Sequence, residues 1–157
     1  MNRIDAILHH PSFVEALERT AEHEKDRVFC KHGMDHLIDV ARIAYTLSLE
    51  MGLGADKEAI YAAALLHDLG RALQYENGTP HEQESARIAA SILPECGYGE
   101  PDTAMILDAI LSHRTANGEK PGFSGLMYRA DKLSRRCFDC AARDDCDWEM
   151  KNTHLEY

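Results

Sequence analysis

The stretch AAALLHDLGR, residues 62–71, constrains the fold of this 157-residue chain more than any other segment. Its first five residues are apolar on every side of a helix, and a helix without a polar face is usually buried. His67 and Asp68 follow directly, and an ionised carboxylate that is buried without a partner costs several kcal/mol. Either the helix end emerges into solvent with Asp68 exposed, or another group compensates the charge of this carboxylate.

Helix signals continue on both sides of this stretch. Asp56 predicts the cap of the helix that contains it, over 57–69, and Gly70 ends or breaks that helix. Apolar residues at helical spacing predict an earlier helix over 32–51. The capping-box pair Ser12 and Glu15 predicts a helix over 13–27, and TPHE at 79–82, with Thr79 as the N-cap, predicts a helix that runs to 93. The remaining predictions are a helix over 101–113, a loop at Asn117-Gly118 and Pro121-Gly122, and a last helix holding Leu126, Ala130 and Leu133. With few valines and no strand pattern, the sequence predicts an all-α bundle of six or seven helices.

Composition narrows the class of protein. The length fits one domain. Lys and Arg total 17 against 27 Asp and Glu, a net charge of −10 that argues against broad nucleic-acid binding, which relies on basic surface. The longest apolar run, 60–66, is too short to span a bilayer, and the N-terminus lacks the apolar core of a signal peptide. Five cysteines cannot all pair within one chain, so we expect a reducing, cytoplasmic location and no membrane partner.

Imidazoles and carboxylates recur where apolar helices are expected to face inward. His36 lies in an apolar stripe, His81 opens the capped helix, His113 closes the next one, and Asp131 stands between apolar neighbours. Each residue alone is explained as a satisfied core histidine, a capping residue or a surface aspartate. A divalent cation explains all of them together with the His-Asp pair, because neutral imidazole and carboxylate are ligands that such metals accept.

Three segments together resemble a known family. The run at 62–71, the sequence HLIDVA at 36–41 and the sequence RADKL at 129–133 occur in the order found in the HD-domain phosphohydrolase superfamily. The resemblance implies an all-helical HD domain over the whole chain, 1–157. Its parts are an N-terminal helix in 1–29, an HD core over 30–136 and a cysteine-containing tail over 137–157.

The resemblance also implies a set of metal ligands. His36, His67, Asp68 and Asp131 match the ligands of a first metal, and His81 and His113 match the extra pair of two-metal members such as the HD-type diadenosine tetraphosphate hydrolases. Asp68 would bridge the metals and is the expected catalytic residue. His32 competes with His36 as the first ligand, but the Val-Ala pair at 40–41 follows His36 at the family's spacing. We expect two divalent ions per chain, Fe or Mn, with Mg, Co, Ni and Zn as alternatives.

Cationic side chains stand beside these ligands in the sequence. Arg71, Arg114, Lys132 and Arg135 are the candidates for binding substrate phosphate, against the alternative that they are ordinary surface charges. Arg71 stands where many family members have Lys. Two metals about 3.5–4 Å apart can activate water and polarise a phosphoryl oxygen, which fits this set of residues.

The tail contains a second group of candidate metal ligands. Cys137, Cys140 and Cys146 have a spacing that can bind zinc or an iron–sulfur cluster, with His154, Asp144 or Asp147 as a fourth ligand. The alternative is three reduced cysteines without chemistry.

These patterns give one leading function and two rivals. The leading interpretation is a metal-dependent phosphohydrolase that uses a metal-activated water. Its expected substrate is a small molecule, namely a nucleotide, which is cleaved at a phosphate ester or phosphoanhydride bond. The rivals are a di-iron HD-type oxygenase, which would need O₂ in place of water, and a sensor module that binds a metal or nucleotide without turnover.

Overall fold

The computed structural model describes residues 2–114 and 121–157. These residues form an all-helical bundle without strands, as predicted. Its α-helices are α1 (Arg3–Leu8), α2 (Pro11–Glu24), α3 (Met34–Glu50), α4 (Lys57–Leu66), α5 (Arg71–Asn77), α6 (His81–Glu95), α7 (Glu100–Ser112) and α8 (Phe123–Leu133). Two short 3-10 turns follow, Cys137–Asp139 and Arg143–Asp145. The predicted turn at Asn117-Gly118 lies outside the described residues.

The six longer helices correspond to the six predicted segments, and the two short ones, α1 and α5, are additional. The helix predicted over 57–69 ends at Leu66, because a turn at 67–70 separates α4 from α5. As predicted, the Asp56 side chain caps α4 by accepting a hydrogen bond from Ala59 N at 2.9 Å. No helix in the described part of the chain is long and apolar enough to cross a bilayer.

Two predicted caps were wrong by one or two residues. The capping-box pair Ser12 and Glu15 does not start α2, because the His10 ring precedes Pro11 and accepts the hydrogen bond from Ser12 N at 3.2 Å. Likewise Thr79 does not cap α6, since its hydroxyl donates to Asn77 Oδ1 at 2.7 Å.

α4 is the central helix of the bundle. Its residues from Ala59 to Leu66 are buried except Tyr61, and α4 contacts α1, α3, α6, α7 and α8. The small side chains at 62–64 let these helices approach closely, and larger residues such as Leu37, Ile60 and Ile110 fill the spaces between them. The predicted burial of this helix is therefore correct, and its polar C-terminal residues are buried with it.

Helix ends gather at one end of the bundle. The first turns of α3 and α6 lie beside the last turns of α4, α7 and α8, and each of these ends carries a histidine or an aspartate. The segment after α8 returns over this end. It is held there by Asn152, whose side-chain amide donates to the carbonyl oxygens of Lys132 and Arg135 at 2.7 and 2.8 Å.

Candidate metal centre

Four side chains from two helices and one turn form a first group of ligands. The atoms of His36, His67, Asp68 and Asp131 that face one another all lie within 4.8 Å. Asp68 Oδ2 lies 3.0 Å from His67 Nε2 and 3.2 Å from His36 Nε2, and Asp131 Oδ1 lies 3.4 Å from His36 Nε2. All four side chains are buried.

A second group shares one residue with the first. Asp68 Oδ1 lies 3.2 Å from His81 Nε2 and 3.7 Å from His113 Nε2, and these two ring nitrogens are 3.0 Å apart. The two oxygens of Asp68 therefore serve different groups, Oδ2 the first and Oδ1 the second. A carboxylate placed in this way can bridge two cations.

The four histidines all present the same ring nitrogen to the site. Their Nδ1 atoms face hydrogen-bond acceptors elsewhere: Ala64 O for His67 at 2.7 Å, Ile110 O for His113 at 2.6 Å, Gln74 Oε1 for His81 at 2.7 Å and Ser134 Oγ for His36 at 3.3 Å. Donation from Nδ1 fixes the tautomer and leaves the Nε2 lone pair for a metal, which is the usual outer-shell arrangement of ligating histidines.

The side chains fit divalent metal ions. His36 Nε2, His67 Nε2 and Asp68 Oδ2 are buried without a hydrogen-bond partner, although buried polar atoms are normally satisfied. His81 and His113 direct their Nε2 atoms at each other. Because both rings donate through Nδ1, each Nε2 carries a lone pair, and a cation between them would relieve the repulsion of these lone pairs. Imidazole and carboxylate donors suit Zn, Fe, Mn and related ions.

The electrostatics of the site favour a cation. Burial alone would lower the pKa of His67, but the adjacent carboxylates of Asp68 and Asp131 raise it to about 10. Burial would raise the pKa of Asp68, but His67 and Arg71 hold it well below its usual range. Burial lowers the pKa of His81 to about 4, so this imidazole is neutral at pH 7, as a metal ligand must be.

Three of the four predicted phosphate-binding cations reach this centre. Arg71 Nε lies 3.0 Å from Asp68 Oδ1, Lys132 Nζ lies 2.7 Å from Asp131 Oδ2, and Arg135 Nη2 lies 3.5 Å from Asp131 Oδ1. Arg114 instead faces Glu82 Oε2 at 3.6 Å with 49% of its side chain exposed, so it is on the surface.

Sequence reasoning missed one buried network beside the site. His32 is not in either ligand group; its backbone N–H donates to Glu24 Oε2 at 2.7 Å, and its ring contacts Glu24 Oε1. Tyr75 donates to Glu24 Oε1 at 2.6 Å. Burial would raise the pKa of Glu24, but these hydrogen bonds hold it at about 2. Phe13, Thr20 and Glu24 share the buried face of α2, but two of these side chains are polar, so apolar periodicity gave no signal for the network.

The tail cysteines do not form a ligand group within the described residues. Cys137 is buried, Cys140 and Cys146 are half-buried, and none of them is in a disulfide. Within residues 2–114 and 121–157, donor atoms suited to a metal converge in the two groups that include Asp68. The zinc or iron–sulfur prediction for the tail thus gains no geometric support.

Comparisons with known proteins agree with this geometry. A family model described as "HD domain" matches residues 33–137. An uncharacterized protein of Clostridium beijerinckii is 48% identical over 159 residues, covering 100% of both chains. Ribonuclease Y of Pseudothermotoga lettingae is 31% identical over 146 residues, 93% of this chain but 25% of that protein. A crystal structure of a predicted HD superfamily hydrolase from an uncultured Thermotogales bacterium has a TM-score of 0.57 and 27% identity, covering 85% of this chain and 74% of the other.

Proposed function

This chain belongs to the HD-domain family, and we propose that it is a metal-dependent phosphohydrolase with two divalent ions, Fe or Mn, in its ligand groups. Its substrate is a small phosphorylated molecule, a nucleotide, cleaved at a phosphate ester or phosphoanhydride bond. The observation that carries the proposal is Asp68, whose two oxygens face two separate sets of histidines. The likeness to the predicted HD superfamily hydrolase of the Thermotogales bacterium supports hydrolysis as the class of reaction.

The carboxylates, the histidines and the basic side chains of the site have different roles in this proposal. Divalent ions bound in such a site activate water and polarise a phosphoryl oxygen. Asp68 and Asp131 would supply the negative charge that holds the cations. Hydrogen bonds at Nδ1 hold the histidine rings so that their Nε2 atoms face the site. Arg71 and Lys132 stand beside these carboxylates, where they can neutralise the charge that develops on the phosphate.

The acidic composition supports a small substrate. Polymeric nucleic acids bind through many phosphate contacts to basic surface, and this chain carries a net charge of −10. It spans about a quarter of the ribonuclease Y relative, so we do not extend that protein's activity to it. The odd number of cysteines supports a reducing, cytoplasmic location.

The test measures metal content and phosphate release together. Purified protein, loaded with Mn²⁺ or with Fe²⁺, is assayed against nucleoside monophosphates, a dinucleoside polyphosphate and p-nitrophenyl phosphate. We expect two ions per chain and phosphate release. Asp68→Ala should lose both ions and activity together, whereas the exposed Asp26→Asn should match the wild type.

Two results would contradict the proposal. Full metal content in Asp68→Ala would show that this carboxylate is not the shared ligand. Oxygen uptake without phosphate release from any substrate would assign the site to the oxygenase class instead.

A further inference from the structure

A cavity of about 300 Å³ opens beside the metal centre. The side chains that matter to its chemistry are Arg27, Phe29, His32, Arg71, Arg135 and Trp148. Its volume is at the lower end of the range for small-molecule pockets, about 300–1,000 Å³. A cavity of this size suits a single small ligand rather than an extended chain.

Two of the arginines that line the cavity contact carboxylates of the metal centre. Arg71 lines the cavity and also contacts Asp68, the carboxylate shared by both ligand groups, at 3.0 Å. Arg135 lines it and lies 3.5 Å from Asp131, a ligand of the first group. An anionic group bound by these two arginines would therefore lie next to the carboxylates of both ligand groups.

The cavity is cationic in a chain that is acidic as a whole. Three arginines line it against one carboxylate, Asp147. Arg135 is largely buried, and its Nε is a buried donor without a hydrogen-bond partner. These features favour an anionic group beside the arginines, and guanidinium is well suited to phosphate.

Two aromatic rings stand at the cavity, each paired with a guanidinium. Arg135 Cζ lies 5.7 Å from the centre of the Trp148 ring, and Arg27 Cζ lies 5.9 Å from that of Phe29. Both aromatic residues are nonetheless 37% exposed. Exposed rings beside a phosphate-binding site provide surfaces on which a nucleobase can stack.

The outer wall comes from segments outside the HD match at 33–137. Arg27, Phe29 and His32 precede that match, and Trp148 follows it in the tail. Asn152 fixes the tail near this cavity through hydrogen bonds to two carbonyl oxygens at the end of α8 and just after it.

We propose that this cavity binds one nucleoside phosphate, with its phosphate between Arg71 and Arg135 and its base stacked on Trp148. The inference rests on the proposed function and names the residue that selects its substrate. Trp148 is a specificity-determining residue: it recognises the base and leaves the bond-breaking step to the metal centre.

Trp148 is the sole tryptophan of the chain, so its fluorescence reports on the cavity directly. AMP, GMP, CMP and UMP are titrated into the metal-loaded wild-type protein, with ribose 5-phosphate as the ligand that lacks a base. We expect saturable quenching by at least one nucleotide and none by ribose 5-phosphate. Absence of quenching by all four nucleotides would overturn the inference.

Steady-state kinetics test the same contact by substitution. Stacking of a base on an aromatic residue corresponds to about a 5- to 150-fold loss on truncation to Ala. Trp148→Ala should raise KM for the preferred nucleotide by that factor while kcat/KM for ribose 5-phosphate stays unchanged, and Trp148→Phe should restore most of the loss. The matched control is Phe138→Ala, because Phe138 lies in the same tail with the same 37% exposure but does not line the cavity.

The outcomes separate this inference from the proposed function. Equal loss for both substrates in Trp148→Ala would show a merely structural role and overturn the inference, although phosphohydrolase activity would stand. No phosphate release from any substrate would refute the proposed function, and the fluorescence titration would still decide whether Trp148 meets a base. Stronger competition by an RNA oligomer than by any mononucleotide would overturn the assignment to a single nucleotide.

Discussion

Gly70 is the position where a single methyl group should separate the two ligand groups. It lies in the turn between α4 and α5, against the first turn of α6, and its N–H donates to Ser85 Oγ at 2.8 Å. A Cβ at this position would collide with the carbonyl oxygen of His81, and would lie 2.7 Å from Ser85 N and 2.8 Å from Glu84 Cβ. Two of these are backbone atoms, so no side-chain rotation relieves the overlap.

The magnitude of the effect follows from the required movement. Ordinary contacts between carbon atoms are about 3.5–4.0 Å, so α6 must move away by roughly 1 Å in Gly70→Ala. Overpacking of this kind costs about 1–3 kcal/mol, or roughly 3–10 °C in Tm for a chain of this length. In the wild type His81 Nε2 lies 3.2 Å from Asp68 Oδ1, and the movement of α6 increases this distance. The first ligand group contains no residue of α6, so the movement affects the second group.

The assay combines thermal unfolding, metal analysis and hydrolysis of the best substrate. We expect Gly70→Ala to fold with a lower Tm, to retain the first ion, to lose the second and to fall about 100-fold in activity, the usual cost of a 1 Å misplacement. Gly99→Ala is the matched control, since Gly99 also precedes a helix but a Cβ there meets only Pro101 Cδ at 3.8 Å. Wild-type Tm and metal content in Gly70→Ala would refute the packing and the argument built on it.

Three further predictions concern individual side chains. The double variant His81→Ala with His113→Ala should hold one ion instead of two and lose more than the 10–100-fold typical of outer-shell changes, which metal analysis and kinetics check. Lys132→Ala should lower kcat/KM about 10-fold or more because Lys132 lies at Asp131, whereas Arg114→Ala, on the surface, should match the wild type. Glu24→Gln should be less stable than the wild type at neutral pH; since the pKa of Glu24 falls from 4.5 to about 2 on folding, that difference should shrink as pH drops from 4.5 towards 2 in urea unfolding.

The central helix and the ligand groups could be predicted because their signals are local. An apolar helix ending in His67 and Asp68 is readable from the sequence, and the structure brings the other expected ligands to the same place. Helix ends were less predictable: a turn after Leu66 creates α5, and that turn depends on Gly70 packing against α6. The burial of Glu24 depends on which face of α2 meets the bundle, and the periodicity of α2 alone did not decide this.

The tail was the least predictable part, for a physical reason. After α8 the described chain has two single 3-10 turns and mostly exposed side chains, so no hydrophobic periodicity marks its position. Its placement depends on a few specific contacts, such as Asn152 with Lys132 O and the Trp148 ring with Lys132 Nζ at 5.4 Å. The cysteine spacing suggested metal chemistry there, whereas our proposal gives the tail its role at the cavity through Trp148.

The metal ligands and the outer wall of the cavity come from different parts of the chain. The ligands of both groups project from helix ends whose positions the buried bundle fixes, so the metal centre tolerates little change. Phe29 and Trp148 on the outer wall of the cavity lie before and after the family match, are exposed, and can vary without disturbing the bundle. We therefore expect the segments that flank the core to set the substrate of this chain. The same core can then occur in proteins of very different length, such as this chain and ribonuclease Y.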